Sequence, residues 1–200
     1  MIDEWATLLH DWLSALAGVP IEVISSFTAE VTWQGQRFGN IESYIGRSIR
    51  VNDPKPVTAE QWQYAFSRAG EGEEPPIARV LLVNALSALS ARSWRAAVVD
   101  AATAAEVALA AGIRDKVQGE ASEAVTDALL GRGRMLGQMV ELARDLRLEV
   151  PAQITDDLVK PRKIVLHRGG RATEDEAKRA CLVAADVVGK YVSLPSDAPQ

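Results

Sequence analysis

A short basic segment, residues 160–171, carries the residue types best suited to chemistry on a phosphodiester. Five Lys or Arg side chains and one of the two histidines fall within it, in a chain of net charge −5. Arginine holds a phosphate through two parallel hydrogen bonds, and histidine transfers a proton near neutral pH. The alternative is structural, because basic side chains also complement the carbonyl end of a helix while the histidine faces solvent. The candidate residues are Lys160, Arg162, Lys163, His167, Arg168 and Arg171.

Composition restricts the class of protein. The 200 residues are 48% hydrophobic and 24% charged, which is typical of one soluble globular domain, with or without a small appendage. The net charge of −5 argues against a surface that coats nucleic acid in general. A nucleic-acid partner would therefore have to be bound locally.

Cysteine, histidine and hydropathy patterns exclude further classes. The single cysteine, Cys181, excludes an internal disulfide and is compatible with a reducing cytosol. Two histidines and one cysteine, far apart in the sequence, argue against a zinc site, so we expect neither a metal nor a cofactor. The acidic N-terminus lacks the basic region of a signal peptide. No apolar run reads as long enough to span a membrane, so we expect a cytoplasmic protein without membrane contact.

The front third of the chain predicts a small α/β appendage, residues 1–73. Apolar residues at helical spacing indicate a helix over residues 4–17, stopped by Gly18 and Pro20. Residues 23–33 alternate with a period of two, which predicts a strand, and a less regular β-prone piece over 37–51 completes a hairpin or small sheet. Thr58 and Gln61 then form the capping box of a second helix.

The back part, residues 74–192, reads as helical throughout. A Gly- and Glu-rich linker over residues 70–76 separates it from the appendage, and a frayed tail is expected over residues 193–200. The fold class is therefore mainly α. The predicted helices cover Pro76 to about Ala91, Trp94 to Ala111 closed by Gly112, two helices or one interrupted helix within 121–148, Ile154 to His167 kinked or restarted at Pro161, and a last helix capped by Thr173 and Glu176.

Glu106 is a candidate acid for orienting the site. It lies on the apolar stripe of Val98, Ala102 and Leu109, so we expect it to be partly buried. A carboxylate there needs an arginine partner or backbone donors. The alternative is a glutamate at the rim of the stripe that reaches water.

Residues 75–192 resemble the HEPN superfamily of compact helical domains. One feature is a buried helix followed by the Ser93–Glu106 segment, which looks like the N-terminal helical pair of the family. The second is Arg162-x4-His167, which fits the R-x4-6-H signature of the family, and the third is the turn from His167 to Gly169 that leads into the final amphipathic helix. The sequence departs from the family at Lys163, where Asn, Asp or His is common, and at the preceding Pro161.

The resemblance implies a metal-independent endoribonuclease of a toxin–antitoxin or antiviral defence system. His167 would act as base or acid, since its unperturbed pKa is about 6.5, and Arg162 would stabilise the phosphate, giving a 2′,3′-cyclic phosphate product. Glu106 would orient the site. Members of the family commonly build one cleft across a homodimer, so the implied partners are RNA and a second copy. The implied RNA-binding residues are Lys160, Lys163, Arg168 and Arg171.

The spacing of the two signature residues poses a geometric problem. On one ideal helix, positions five apart point about 140° away from each other. They meet on one phosphate only if the helix loosens at His167, as Gly169 and Gly170 would allow, or if a second subunit contributes. The competing function is a HEPN-like module without catalysis, which dimerises or binds a protein partner, with the front third as one possible contact.

Overall fold

The computed structural model describes residues 2–18, 27–33, 36–43, 57–118, 121–131, 135–167 and 170–194. The fold is mainly α, as the sequence predicts. The elements in chain order are α1 Ile2–Ala17, β1 Phe27–Trp33, β2 Gln36–Ser43, α2 Ala59–Gly70, α3 Ile77–Ser90, α4 Trp94–Val117, α5 Glu123–Leu129, α6 Leu136–Asp145, a π turn Thr155–Val159, α7 Lys160–His167 and α8 Glu174–Tyr191.

The two strands pair in an antiparallel hairpin. Phe27 pairs with Ser43 and Trp33 with Gln36, and the register shifts between Val31 and Thr32. β1 thus begins inside the range predicted as a strand, and β2 covers the first part of the β-prone piece. The rest of both predictions, residues 23–26 and 44–51, lies outside the described residues, as does the turn at residues 34 and 35.

Helices α1 and α2 form a small core of their own. The predicted capping box of α2 is confirmed, because the Gln61 backbone N–H donates to Thr58 Oγ1 and the Thr58 backbone N–H donates to Gln61 Oε1. Trp12 Nε1 donates to the Glu73 carbonyl at 2.7 Å and ties the linker to α1. The buried members of this core are Trp12, Leu13, Ala15, Leu16, Ala65, Ala69 and Leu194.

Leu194 corrects the prediction of a tail that frays from Ser193. Its side chain is only 5% exposed and packs in the core of α1 and α2. Just before it, the Arg79 guanidinium of α3 donates to the Val192 carbonyl through Nε at 2.9 Å and Nη2 at 2.6 Å. The burial of Leu194 and the hydrogen bonds from Arg79 together hold the chain in place beyond the end of α8. Residues 195–200 lie outside the described residues.

α4 is the central helix of the bundle and contacts α3, α6, α7 and α8. Its small side chains allow neighbouring helices to approach closely, and Ala97, Ala101 and Ala105 are fully buried. The predicted end at Gly112 is wrong, because α4 continues to Val117. Gly112 is instead a point of contact with α8, where a Cβ would lie 2.5 Å from Tyr191 Cδ1. Glycine here makes room for the tyrosine ring.

α4 also corrects the expectation about membrane-spanning length. Among the described helices it is long and apolar enough, by length and composition alone, to cross a membrane. Many small alanines raise the hydropathy of this helix without forming a bulky apolar run that is recognisable in the sequence. Within its most apolar window, 56% of the residues are buried inside the fold. The central helix of a soluble bundle meets the same criterion, so this is weak evidence for a membrane span.

The helix that carries the candidate site is preceded by a π turn. The sequence predicted one helix from Ile154 with a kink or restart at Pro161, whereas the chain widens at Thr155–Val159 and runs directly into α7. The Lys160 N–H donates to the Thr155 carbonyl, five residues earlier. Proline lacks an N–H and its ring crowds the carbonyl four residues before it, so a wider turn accommodates Pro161 without breaking the helix.

Candidate functional site

An ion pair joins α4 to α7 at the centre of the candidate site. Arg162 Nη2 lies 3.1 Å from Glu106 Oε2, and the side chains are 20% and 29% exposed, respectively. The sequence left open an arginine partner, backbone donors or contact with water for Glu106, and the partner is Arg162. Glu106 Oε2 and Arg162 Nε are buried and make no hydrogen bond within the described part of the chain. The two groups thus attract as charges, and the guanidinium keeps donors for another acceptor.

The other basic residues of segment 160–171 differ in whether they form ion pairs. Lys160 forms an exposed ion pair with Asp156, one turn earlier. Lys163 and Arg171 are exposed, and neither has an ion-pair partner among the described residues. Arg168 lies outside them. Lys163 is therefore the basic residue next to Arg162 that has no ion-pair partner among the described residues.

His167 is the last residue of α7, and its side chain lies outside the described part of the chain. The helix is regular from Lys160 to His167, so it does not loosen before the histidine. Helical geometry then sets Arg162 and His167 about 140° apart around the axis and about 7.5 Å apart along it. The backbone of α7 thus keeps the two positions apart within one copy.

The end of α7 is fixed by Gly170. Its N–H donates to the Ile164 carbonyl at 3.2 Å, which satisfies one of the open carbonyls of the last turn. A Cβ at this position would lie 2.5 Å from Ile164 Cγ2, so the chain needs glycine to fold back so closely. α8 then begins with the predicted capping box of Thr173 and Glu176, which is confirmed. Gly170 therefore lies close against the last turn of α7.

A cavity of about 290 Å³ opens beside Arg162, between α6 and the start of α7. Its walls include Met135, Gly137, Gln138, Val159, Arg162 and Lys163. The sequence analysis did not identify the α6 residues as part of the site, because they precede Arg162 by more than twenty positions. No local motif links the two segments, and only the packing of α6 against the π turn brings them together.

The titratable groups near the bundle core do not suggest other catalytic chemistry. Among the described residues, no group of three or more His, Cys, Asp or Glu side chains could hold a metal ion. Burial raises the pKa of the Cys181 thiol to about 11, and Asp100 nearby adds to the effect. A thiol protonated at neutral pH is a poor nucleophile. Cys181 is therefore a buried core residue.

A second surface feature lies on α1 and α2. Trp5 and Trp62 each lie near Phe66, with ring centroids 5.7 and 5.8 Å away, and the three side chains are 37–46% exposed. Next to Trp5, a groove of about 850 Å³ follows the linker to Ile77. This aromatic strip is separate from the α7 site and offers an apolar contact surface.

No protein-family model matches this chain, and neither a curated protein nor a solved structure is similar to it. A function must therefore be argued from the residues of the chain itself.

Proposed function

We propose that this chain is a metal-independent endoribonuclease of the HEPN type, acting in the cytoplasm in a defence or toxin–antitoxin setting. In this proposal α3–α8 form the HEPN-like bundle and residues 1–73 form an α/β appendage. The substrate is single-stranded RNA, the products carry 2′,3′-cyclic phosphate ends, and the active species is a homodimer. No metal or cofactor takes part.

The observation that carries the proposal is the way Arg162 is held. Glu106 fixes one side of a partly buried guanidinium, with Arg162 Nη2 3.1 Å from Glu106 Oε2, and the Arg162 side chain keeps 20% of its surface exposed. A positioned, permanently charged guanidinium suits a phosphate on which negative charge grows in the transition state. Lys163 lies on the same cavity wall and adds a second positive charge.

The reaction divides between the two signature residues. His167 takes the proton from the ribose 2′-hydroxyl, and the 2′-oxygen attacks the adjacent phosphorus. The bond from phosphorus to the 5′-oxygen of the next nucleotide breaks, and a proton on a histidine then passes to that oxygen. Arg162 stabilises the charge on the non-bridging phosphate oxygens. Because the helix separates the two residues, Arg162 of one copy works with His167 of a second copy.

Exposed apolar side chains on α7 support a dimer at this helix. Ile164 and Leu166 lie between the signature residues and are 40% and 41% exposed. Being two positions apart, they point about 160° away from each other, so a second copy at one face of α7 would cover one of them. Large apolar side chains left on a surface helix gain from burial against a second copy. A two-fold interface would bring both α7 helices together and place two signatures in one cleft.

An RNA cleavage assay in EDTA tests the proposal. The wild-type protein should cut a mixed-sequence RNA and leave cyclic phosphate ends, while Arg162→Ala and His167→Ala should each lose at least about a hundredfold in rate. Arg144→Ala is the matched control, because Arg144 pairs with Glu141 on an exposed part of α6. Loss of cleavage in the control as well, or cleavage that survives in both signature variants, would contradict the assignment.

The second candidate function is a partner-binding module without catalysis, and the aromatic strip of Trp5, Trp62 and Phe66 favours it. In that case the Glu106–Arg162 pair would be structural. A folded protein that cuts none of several RNAs would support this function. Replacing Phe66 with Ser should then weaken the contact with the partner, and Arg162→Ala should not.

A further inference from the structure

The groove of about 850 Å³ beside Trp5 presents an exposed apolar surface. Residues of α1, of the linker after α2 and of the start of α3 line it. Ile77 is 57% exposed and Trp5 is 37% exposed. Large apolar side chains that lie together on a surface mark a contact site for another molecule. The apolar side chains of the groove are Trp5, Leu8, Pro75, Ile77 and Val80.

The charged side chains that line the groove are all acidic. No Lys, Arg or His is among its lining residues in the described part of the chain, and the acids are Glu4, Asp11, Glu71 and Glu74. Two of them have a basic neighbour, because His10 lies 3.2 Å from Asp11 and Arg68 lies 3.3 Å from Glu71. The end of α2 adds a partial negative charge and the start of α3 a partial positive one. The carboxylates therefore decide the sign of the groove.

The linker that lines the groove is held in place at Glu73. Its carbonyl accepts from Trp12 Nε1 at 2.7 Å, and its carboxylate lies 2.8 Å from Arg68 Nη1. The next residue, Glu74, is exposed and has no ion-pair partner among the described residues. A surface that is already ordered loses less conformational entropy when a partner binds. The groove is thus preformed, and Glu74 is its carboxylate with an unpaired charge.

We propose that this groove binds a basic amphipathic segment of a partner protein. The apolar side chains of that segment pack on Ile77 and Trp5, and its Lys or Arg side chains lie at the carboxylates. A cation over the exposed Trp5 ring gains further attraction. The groove lies apart from Arg162, so the proposal does not depend on ribonuclease activity.

The charge of the groove separates this partner from the other candidates. RNA and anionic membranes carry negative charge and are repelled by the carboxylates. A second copy that docked through the same groove would place Glu74 and its neighbours against themselves, because a two-fold interface pairs one surface with itself. Apolar surface with basic side chains is the complement that satisfies both features of the groove.

Calorimetric titration of the full chain with synthetic peptides tests the proposal. The probe has about fifteen residues, with leucine at helical spacing and lysine elsewhere, and the control has glutamate in place of lysine. The lysine peptide should bind with a Kd of about 10 μM or tighter. The glutamate peptide should bind at least about tenfold more weakly. Added salt should weaken the lysine peptide, because the rim charges are exposed.

Two substitutions with matched controls assign the binding to the groove. Ile77→Ser should weaken the lysine peptide about tenfold, since it removes a large apolar contact. Leu182→Ser on α8, where the side chain is 68% exposed, should change nothing. Glu74→Lys should weaken the peptide about fivefold. Asp145→Lys makes the same change of charge at an exposed position on α6 and should alter affinity by less than about twofold.

Four results would overturn the proposal. Equal binding of the two peptides would remove the charge preference, and binding indifferent to both Ile77→Ser and Glu74→Lys would place it elsewhere. Wild-type binding to phosphatidylglycerol vesicles that Ile77→Ser abolishes would make the occupant a membrane. A dimer that dissociates in Ile77→Ser during sedimentation would make it a second copy. RNA cleavage is a separate readout, so failure of the groove and failure of the ribonuclease can be distinguished.

Discussion

Arg162 of α7 and Glu106 of α4 form a partly buried ion pair, with Nη2 and Oε2 3.1 Å apart. The pair joins the central helix of the bundle to the helix that carries the candidate signature. It fixes where the guanidinium lies, and in doing so it also offsets part of the charge that a phosphate would meet. The pair is thus both a structural link and the element that positions Arg162.

Removal of Glu106 should destabilise the protein. Glu106→Ala should lower the free energy of unfolding by about 1–2 kcal/mol, because it leaves a partly buried guanidinium without its counter-charge. A double-mutant cycle with Arg162→Ala, measured by urea unfolding, should give a coupling energy of about 1 kcal/mol. The exposed Arg144–Glu141 pair is the control and should couple by less than about 0.5 kcal/mol. Equal coupling in the two pairs would contradict the special role of Arg162.

Gly112 should not tolerate a side chain. Gly112→Ala places a methyl group 2.5 Å from the Tyr191 ring, so the ring must move and weaken its hydrogen bond to the Glu149 carbonyl. We expect a loss of about 1–3 kcal/mol in the free energy of unfolding, as for other overpacked sites. Gly189→Ala, which meets open space, should be neutral or stabilising. Thermal unfolding of the two variants decides this, and similar melting temperatures would refute the close approach of α4 and α8.

The stability that the capping box of α8 contributes should depend on pH, whereas the contribution of the α2 capping box should not. The backbone and side chain of Thr173 donate to Glu176 and hold the pKa of its carboxyl below the ordinary value. A lowered folded-state pKa stabilises the folded state above the ordinary carboxyl pKa, and this contribution disappears as pH falls through the folded-state value. Urea unfolding between pH 7 and pH 3 should therefore show a smaller pH dependence in Glu176→Gln.

The Thr58 box provides the control, since its partner Gln61 does not titrate. Thr58→Ala and Thr173→Ala should each cost about 1 kcal/mol at pH 7. Only the cost of Thr173→Ala should shrink on acidification. A parallel loss in both variants would mean that Glu176 contributes nothing through its charge.

Cys181 should make stability fall at high pH. Burial raises its pKa from 9.0 to about 11, so between these values the unfolded chain loses the thiol proton and the folded chain retains it. Ionisation then favours the unfolded state, and stability falls as pH rises. Between pH 8.5 and pH 11 the wild type should lose up to about 2–3 kcal/mol more than Cys181→Ala. Identical pH slopes for the two proteins in chemical denaturation would contradict this.

The sequence predicted the elements whose signals are local. Both capping boxes, the helix over residues 4–17 and the helical nature of the back part depend on neighbouring residues, and all are present. Gly112 was misjudged because glycine marks a helix end and a close contact equally well, and only the position of Tyr191 distinguishes them. Leu194 was placed in a loose tail because its partners on α1 lie almost the whole chain away.

The site was predictable to a similar degree. The position of Glu106 on an apolar stripe indicated an arginine partner or backbone donors, with contact with water as the alternative, and the structure gives Arg162. The sequence could not show that α6 would supply Met135, Gly137 and Gln138 to a cavity at Arg162, because this depends on how the π turn packs. Pro161 indicated that the helix would be disturbed nearby. The sequence did not show that the disturbance would be a π turn, because this depends on which backbone carbonyl accepts each N–H, such as Thr155 for Lys160.

The most direct test of the central claim is complementation between inactive variants. Arg162→Ala and His167→Ala proteins are mixed, allowed to exchange subunits, and assayed for RNA cleavage in EDTA. If Arg162 of one copy works with His167 of another, each mixed dimer regains one intact site, and statistical exchange should restore about a quarter of the wild-type rate. If the mixture stays as inactive as its two components after exchange is verified, the two residues do not act across a dimer and the account fails.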